Sequence, residues 1–266
     1  MKKVLDGLVL RVIDSGDNDR RILVLTAQEG RMWITAKGAK SVRSKTASLC
    51  RLFTYGNFEI YEKAGLKWLS GGSINNAFAS LSSDLTGYSL AAYVAQLAAE
   101  ISGEELPAED VTRVTLNTLY AIEKKLKPYD QIKAAYELFA AHTSGLAPDL
   151  SACADCGCEE FATGELWLDV MNGAILCPKC LEKRSGGLPL PEVDSFETRN
   201  ILVPIDASAL QAMRYVLSAP PQRMLAFGLS DPHSLSLFVR ACETYLLNHL
   251  ERDFDTLHFY KSIKDK

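Results

Sequence analysis

Four cysteines form two Cys-x-x-Cys pairs, Cys153/Cys156 and Cys177/Cys180, with twenty residues, 157–176, between them. Thiolates two residues apart reach one ion at about 2.3 Å, so two such pairs supply the four tetrahedral ligands of a single zinc ion. Gly157 follows the first pair, where the chain needs positive φ to turn beneath a metal, and Pro178 stiffens the second. Four protein ligands leave no open position, which points to one structural Zn2+ rather than a catalytic one. Cys158 leaves a second assignment open. A Cys156/Cys158 pair would stand eighteen residues before Cys177, and Cys153/Cys156 is preferred because Cys-x-x-Cys is the usual knuckle. Redox dithiols of the thioredoxin type open a helix after a strand, and neither pair has that setting. Disulfides need an oxidising compartment, and nothing marks the chain as secreted. Of the remaining thiols, Cys50 is expected in a strand and Cys242 on an apolar helix face.

A second pattern is electrostatic. No acidic residue occurs between Glu29 and Glu59, while Arg31, Lys37, Lys40, Arg43, Lys45 and Arg51 fall in that interval. A solvated face mixes signs, so a single-sign run inside a folded domain points to an anionic partner; its bland alternative is a solubilising loop. Residues 1–77 hold 13 Lys/Arg against 7 Asp/Glu, a balance of +6, which leaves 16 against 26, or −10, in the rest of a chain whose net charge is −4. Enzyme chemistry is not legible. There is no GxGxxG, and Lys37-Gly38-Ala39-Lys40-Ser41 lacks the GxxxxGK[ST] of a phosphate loop. His142, His233, His249 and His258 are scattered, with no Ser/His/Asp grouping and no HExxH.

These residues must be positioned by two kinds of element. Residues 1–77 alternate like strands: Leu8, Leu10 and Val12, a turn over 14–18, then 22–25, 32–35, 52–55, 58–61 and 68–69. Five or so short strands in so few residues predict a closed five-stranded OB-fold barrel. From about residue 84 the period becomes helical, with stripes at Leu90/Val94/Leu97/Ile101, Leu116/Leu119/Ile122/Leu126 and Ile132/Ala135/Tyr136/Phe139. The cysteine module occupies about 150–184, with strand-like Leu166-Trp167-Leu168 between its knuckles. Gly186-Gly187-Leu188-Pro189-Leu190-Pro191 reads as a linker. Helices resume after Asp206 and after Asp231-Pro232, both N-cap signals. The expectation is an α+β multidomain chain: a nucleic-acid-binding barrel over 1–78, and an α-helical domain over 79–266 with an inserted zinc-ribbon-like module.

Asp6, Arg11 and Asp14 interrupt any signal-peptide core, and the uncharged run 85–99 is too short to span a membrane, so a reducing cytoplasm is the consistent location. Barrels of this kind join cations to aromatics on which bases stack. The candidate phosphate contacts are Arg31, Lys37, Lys40, Arg43 and Lys45. Trp33, Phe53, Tyr55 and Phe58 are the nearby aromatics, of which half or more are expected to fill the core.

The order of parts resembles the RecO family of bacterial recombination mediators. The matching segments are Glu29-Gly30 with Ala36-Lys37-Gly38-Ala39-Lys40; Tyr136-Glu137-Leu138-Phe139 with Gly145-Leu146-Ala147-Pro148-Asp149-Leu150, running into Cys153-Ala154-Asp155-Cys156-Gly157; Asn172-Gly173-Ala174-Ile175-Leu176-Cys177-Pro178-Lys179-Cys180; and Tyr245-Leu246-Leu247-Asn248-His249-Leu250-Glu251-Arg252. The resemblance implies a non-catalytic DNA repair protein that binds single- and double-stranded DNA and anneals complementary strands. It also implies contact with the acidic C-terminal tail of single-stranded-DNA-binding protein, and action with RecR to load RecA at gaps, on the bacterial nucleoid and away from membranes. The family's basic barrel loop maps onto Lys37, Lys40, Arg43 and Lys45. Two other classes compete: a scaffold whose barrel binds a polypeptide, and a zinc-containing nucleic-acid enzyme.

Overall fold

The computed structural model describes residues 2–159, 161, 165–185 and 201–264; the stretch 186–191 expected as a linker lies outside them. Compactness divides the chain into two units, Met1–Leu126 with Phe254–Lys266, and Lys127–Asp253.

In the first unit, β1 (Lys2–Ser15), β2 (Asp19–Thr26), β3 (Gly30–Ala36), β4 (Tyr55–Lys63) and β5 (Leu66–Asn76) close into a barrel in the order β1-β2-β3-β5-β4. All junctions are antiparallel except β3–β5, which runs parallel and meets at Thr35 opposite Trp68. Alternation fills the interior with Val9, Ile22, Val24, Met32, Ile34, Phe58, Ile60 and Leu69. Leu8, Leu10, Leu23 and Leu25 lie on the opposite face, yet they too are buried, because α1 (Leu85–Ile101) and α2 (Glu109–Glu123) pack on β1 and β2. Two covered faces explain why residues 22–25 form an unbroken apolar run. The outward side chains of β3, β5 and β4 stay partly open: Trp33, Thr35 and Trp68 are half-buried and Tyr61 is 40% exposed.

The strand expected over 52–55 does not form; only Tyr55 joins β4, and Cys50 lies in a turn rather than a strand. Apolar residues upstream of that stretch are used as a plug instead. Ala39, Leu49 and Cys50 insert into the barrel core. Phe53 adopts left-handed backbone (φ 65°). Its N–H donates to Val9 O at 3.0 Å while Val9 N–H donates to Thr54 O at 2.9 Å, beside the bulge that breaks the β1–β2 register between Val9 and Arg11. The helical stripes fare better. Leu90, Val94 and Leu97 of α1 are fully buried, as are Leu119 and Ile122 of α2, but Leu126 falls beyond the end of α2 and is 56% exposed. A C-terminal helix, α7 (Asp255–Lys264), packs on α1, where Phe254 meets Tyr93 edge-to-face at 5.7 Å.

In the second unit, α3 (Tyr129–Thr143) is buried on every side from Gln131 to Ala141, between α5 (Ala207–Ser218) and α6 (Pro232–Leu250). The expected caps are in place: Asp206 accepts from Ala209 N–H at 2.7 Å and Asp231 from Ser234 N–H at 2.8 Å. A four-stranded sheet carries the cysteine module, with β6 (Asp149–Cys153), β8 (Ala174–Leu176), β7 (Leu166–Asp169) and β9 (Leu202–Ile205) in that order. No unbroken strand pattern in the sequence announces β9. Pro204 demotes a strand pattern, but β9 is an edge and proline is tolerated there.

Candidate nucleic-acid interface and metal centre

The plug that seats residues 37–54 in the barrel also aims their cations. Ala39 is anchored inside, and Gly38, at φ 63°, turns the chain so that Lys37 and Lys40 project outward. Gly38 N–H donates to Asp19 Oδ1 at 2.8 Å and Lys40 N–H to Asn18 O at 3.0 Å, which ties the basic loop to the β1–β2 turn. That turn brings an acid the linear sequence did not place there. Lys40 Nζ lies 3.3 Å from Asp14 Oδ2, and the hydrogen bond from Lys40 holds the Asp14 carboxyl below its usual range. Lys37, Arg43 and Lys45 are exposed, with no carboxylate at ion-pair distance among the described residues. Val42, between Ser41 and Arg43, is fully exposed at the loop tip.

Arg31 is placed elsewhere. Its guanidinium donates to Ala99 O at the C-terminal end of α1 and lies 3.9 Å from Glu104, and its N–H donates to Gly103 O at 3.0 Å. It is brought against the α1–α2 connection and not into the cluster formed by the basic loop. Of the four aromatics named from the sequence, Phe58 (0% exposed) and Phe53 (2%) are core, while Trp33 and Tyr55 are half-buried. Two further rings were overlooked: Trp68 and Tyr61 stack at 6.0 Å on the outer barrel wall. Their alternation with Leu69 and Ile60 was the available signal.

The four cysteines converge as their spacing predicted. The sulfurs of Cys153, Cys156, Cys177 and Cys180 all lie within 4.8 Å of one another, and Cys156 Sγ is 3.9 Å from Cys177 Sγ. A tetrahedron with zinc–sulfur bonds of about 2.3 Å has edges of about 3.8 Å, so the donor set fits that ion. Gly157 takes the expected positive φ, 69°, and donates its N–H to Cys153 O at 2.9 Å. Contrary to the sequence expectation, the second pair does follow a strand, β8, and straddles the start of α4 (Pro178–Ser185), with Pro178 at its first position; its convergence with the first pair is what sets it apart from an isolated redox dithiol. Burial disfavours the Cys153 thiolate, but N–H groups of Cys177, Cys156 and Asp155 directed at its sulfur bring the thiol down to about 6. Cys180 is pushed up to about 12, first by burial and then by its neighbouring thiols. Thiolates this close repel one another, so all four ionise together only around a cation. Arg184 of α4 staples the first knuckle to the sheet. Its Nε donates to Asp155 Oδ2 at 2.7 Å and its Nη1 to Asp169 Oδ2 at 3.2 Å.

Segments far apart in sequence meet behind this module. Tyr245 Oη donates to Leu146 O at 2.8 Å, and its ring lies 4.2 Å from that of His249. His249 Nε2 hydrogen-bonds Val170 O at 2.7 Å, and Asp149 N–H donates to Gly173 O at 2.6 Å. Gly173 (φ 60°) has no room for a side chain, since a Cβ would sit 2.8 Å from Tyr245 Oη. The Gly145-Leu146, Asn172-Gly173 and Tyr245-to-His249 motifs are thus one packed junction.

The fold and site define a protein with a closed five-stranded OB-like barrel, a helical region and a four-cysteine cluster, and comparison with known proteins gives it a family. Residues 1–78 match the family described as Recombination protein O N terminal, and residues 82–196 that described as Recombination protein O C terminal. The chain is 24% identical over 257 residues to a DNA repair protein RecO of Acetivibrio thermocellus, covering 97% of this chain and 95% of that one. A DNA repair protein RecO of Symbiobacterium thermophilum is 26% identical, covering 98% and 97%. One of Anaeromyxobacter sp. strain K is 32% identical over 188 residues, 70% of this chain and 73% of the relative. The chain belongs to the RecO family of DNA repair proteins. Among the described residues no helix is long and apolar enough to cross a membrane.

Proposed function

We propose that this protein is a non-catalytic recombination mediator that binds single- and double-stranded DNA and promotes annealing of complementary strands. In this role it acts with RecR and with the C-terminal tail of single-stranded-DNA-binding protein to load RecA at gaps. The observation that carries the proposal is the cation cluster on the plugged loop. Lys37, Arg43 and Lys45 are exposed without acidic partners among the described residues, and Lys40 shares Asp14 beside them. Such a cluster neutralises phosphates of both strands, releases their counterions and lowers the repulsion that opposes pairing. Nucleic acid is favoured over a polypeptide because the loop's acid-free run is matched, on the barrel wall beside it, by half-exposed rings that suit bases. Arg31 serves chiefly to hold the barrel to the α1–α2 connection. Cys153, Cys156, Cys177 and Cys180 would hold a zinc ion, which would cross-link the two knuckles and α4 in one module. Asp155, Arg184 and Asp169 orient the knuckles around it.

Equilibrium binding to oligonucleotides of unrelated sequence, measured against salt, tests this. A Lys37→Ala/Lys40→Ala/Arg43→Ala variant should bind single strands more weakly, and the slope of log affinity against log salt should fall by roughly 2. An unchanged slope contradicts the loop as the phosphate site. Elemental analysis of the same preparation should find one zinc per chain, and a folded, metal-free chain would contradict the metal assignment.

A further inference from the structure

We propose that the open wall of the barrel is a platform for unpaired bases, and that it selects single-stranded over duplex DNA. The proposal rests on the DNA-binding reading above and assigns the choice between DNA forms to residues outside the basic loop. The register places these residues in one line. Arg21 of β2 faces Thr35 of β3, Thr35 faces Trp68 of β5, Trp68 faces Tyr61 of β4, and Tyr61 faces Lys2 of β1. Two aromatic rings therefore lie in a single row with a cation at each end and no carboxylate within it.

Alternation turns this row outward, since Ile22, Ile34, Ile60 and Leu69, the neighbours in each strand, fill the barrel. Trp33, two residues before Thr35 on the same face, widens the surface, and the Arg21 guanidinium lies over its ring at 5.1 Å. The rings are not core side chains: α1 and α2 pack on β1 and β2, leaving Tyr61 40% exposed and Trp33 and Trp68 half-buried. Tyr61 and Trp68 stand 6.0 Å apart with 30° between their planes, a stacked arrangement that exposed side chains hold at the cost of rotamer freedom. Lys37 immediately follows β3, so the basic loop begins where this wall ends. A strand laid along the wall would place bases on the rings and phosphates on the flanking cations. In a duplex, base faces are already covered by their neighbours, so only unpaired bases offer this contact.

Tryptophan fluorescence titrations with oligothymidylate and with a blunt hairpin duplex test the assignment. Trp68→Ala should weaken oligothymidylate binding about 5- to 150-fold, leave duplex affinity within about twofold, and leave the salt slope unchanged. Trp68→Phe should retain most of the affinity. Because Trp68 sits at the barrel closure, Tyr61→Ala serves as a second variant, with thermal unfolding of each confirming the fold. Variants that bind oligothymidylate like wild type, or that lose oligothymidylate and duplex equally, overturn the platform while the DNA-binding reading stands. Wild-type protein that binds neither DNA form overturns both and favours a polypeptide as the barrel's ligand.

Discussion

Lys133 is 2% exposed, inside a helix buried on every side, where a cation has no solvent to stabilise it. Its ammonium instead lies 2.9 Å from Glu137 one turn along α3 and 2.7 Å from Glu243 of α6. Burial alone would lower its pKa, but the two carboxylates outweigh that and the net shift is upward. A group whose folded pKa is raised contributes stability fully below its unfolded value and loses it as pH climbs through the folded one. This ion trio is therefore expected to hold through neutral and mildly alkaline pH and to fail only above the ordinary lysine range. Lys133→Met would remove the buried cation that Glu137 and Glu243 share, and denaturant unfolding should show a loss of about 3–5 kcal/mol. A variant as stable as wild type would show that the trio does not fasten α3 to α6. No sequence pattern announced this site, because an i, i+4 Lys–Glu pair looks the same on a solvated surface as in a core.

At the scale of elements, two glycines with the same backbone separate conformational strain from close packing. Gly30, at the start of β3, and Gly38, in the basic loop, both have φ of 63°. A Cβ at Gly38 meets nothing within 4 Å, whereas one at Gly30 would lie 2.3 Å from Gly103 O and 2.4 Å from Leu106 O in the α1–α2 connection. Gly38→Ala should cost about 1 kcal/mol for left-handed backbone alone. Gly30→Ala should cost about 3 kcal/mol, because the added methyl also pushes on backbone. Equal losses in unfolding experiments would mean that the barrel is not held closely to that connection. Elements governed by local chemistry were legible in the sequence: the caps at Asp206 and Asp231, the α1 stripe and the knuckle spacing all follow from residues within a turn of each other. Elements governed by distant partners were not. Cys50 and Phe53 resemble strand residues until their partners are in view: Cys50 plugs the barrel core, and the Phe53 ring packs edge-to-face on Tyr88 of α1. The cations of the basic loop could be listed from their order, but Arg31's engagement with Ala99 and Lys40's pairing with Asp14 depend on contacts 68 and 26 residues away. Trp68 and Tyr61 were hidden for the same reason, since only barrel closure puts them in line with Arg21 and Lys2.

For the whole molecule, charge is divided by sequence: +6 over residues 1–77 and −10 over the remainder. Attraction to a polyanion is thereby concentrated on the barrel, and the acidic remainder opposes it. In the proposed role the barrel loop brings complementary strands together. Annealing of complementary oligonucleotides coated with single-stranded-DNA-binding protein tests it most directly. Wild type would be compared with the Lys37→Ala/Lys40→Ala/Arg43→Ala variant, both shown to be folded and zinc-loaded. Wild-type acceleration that is lost in the variant is the predicted result; equal acceleration by the two proteins would contradict the barrel as the annealing site.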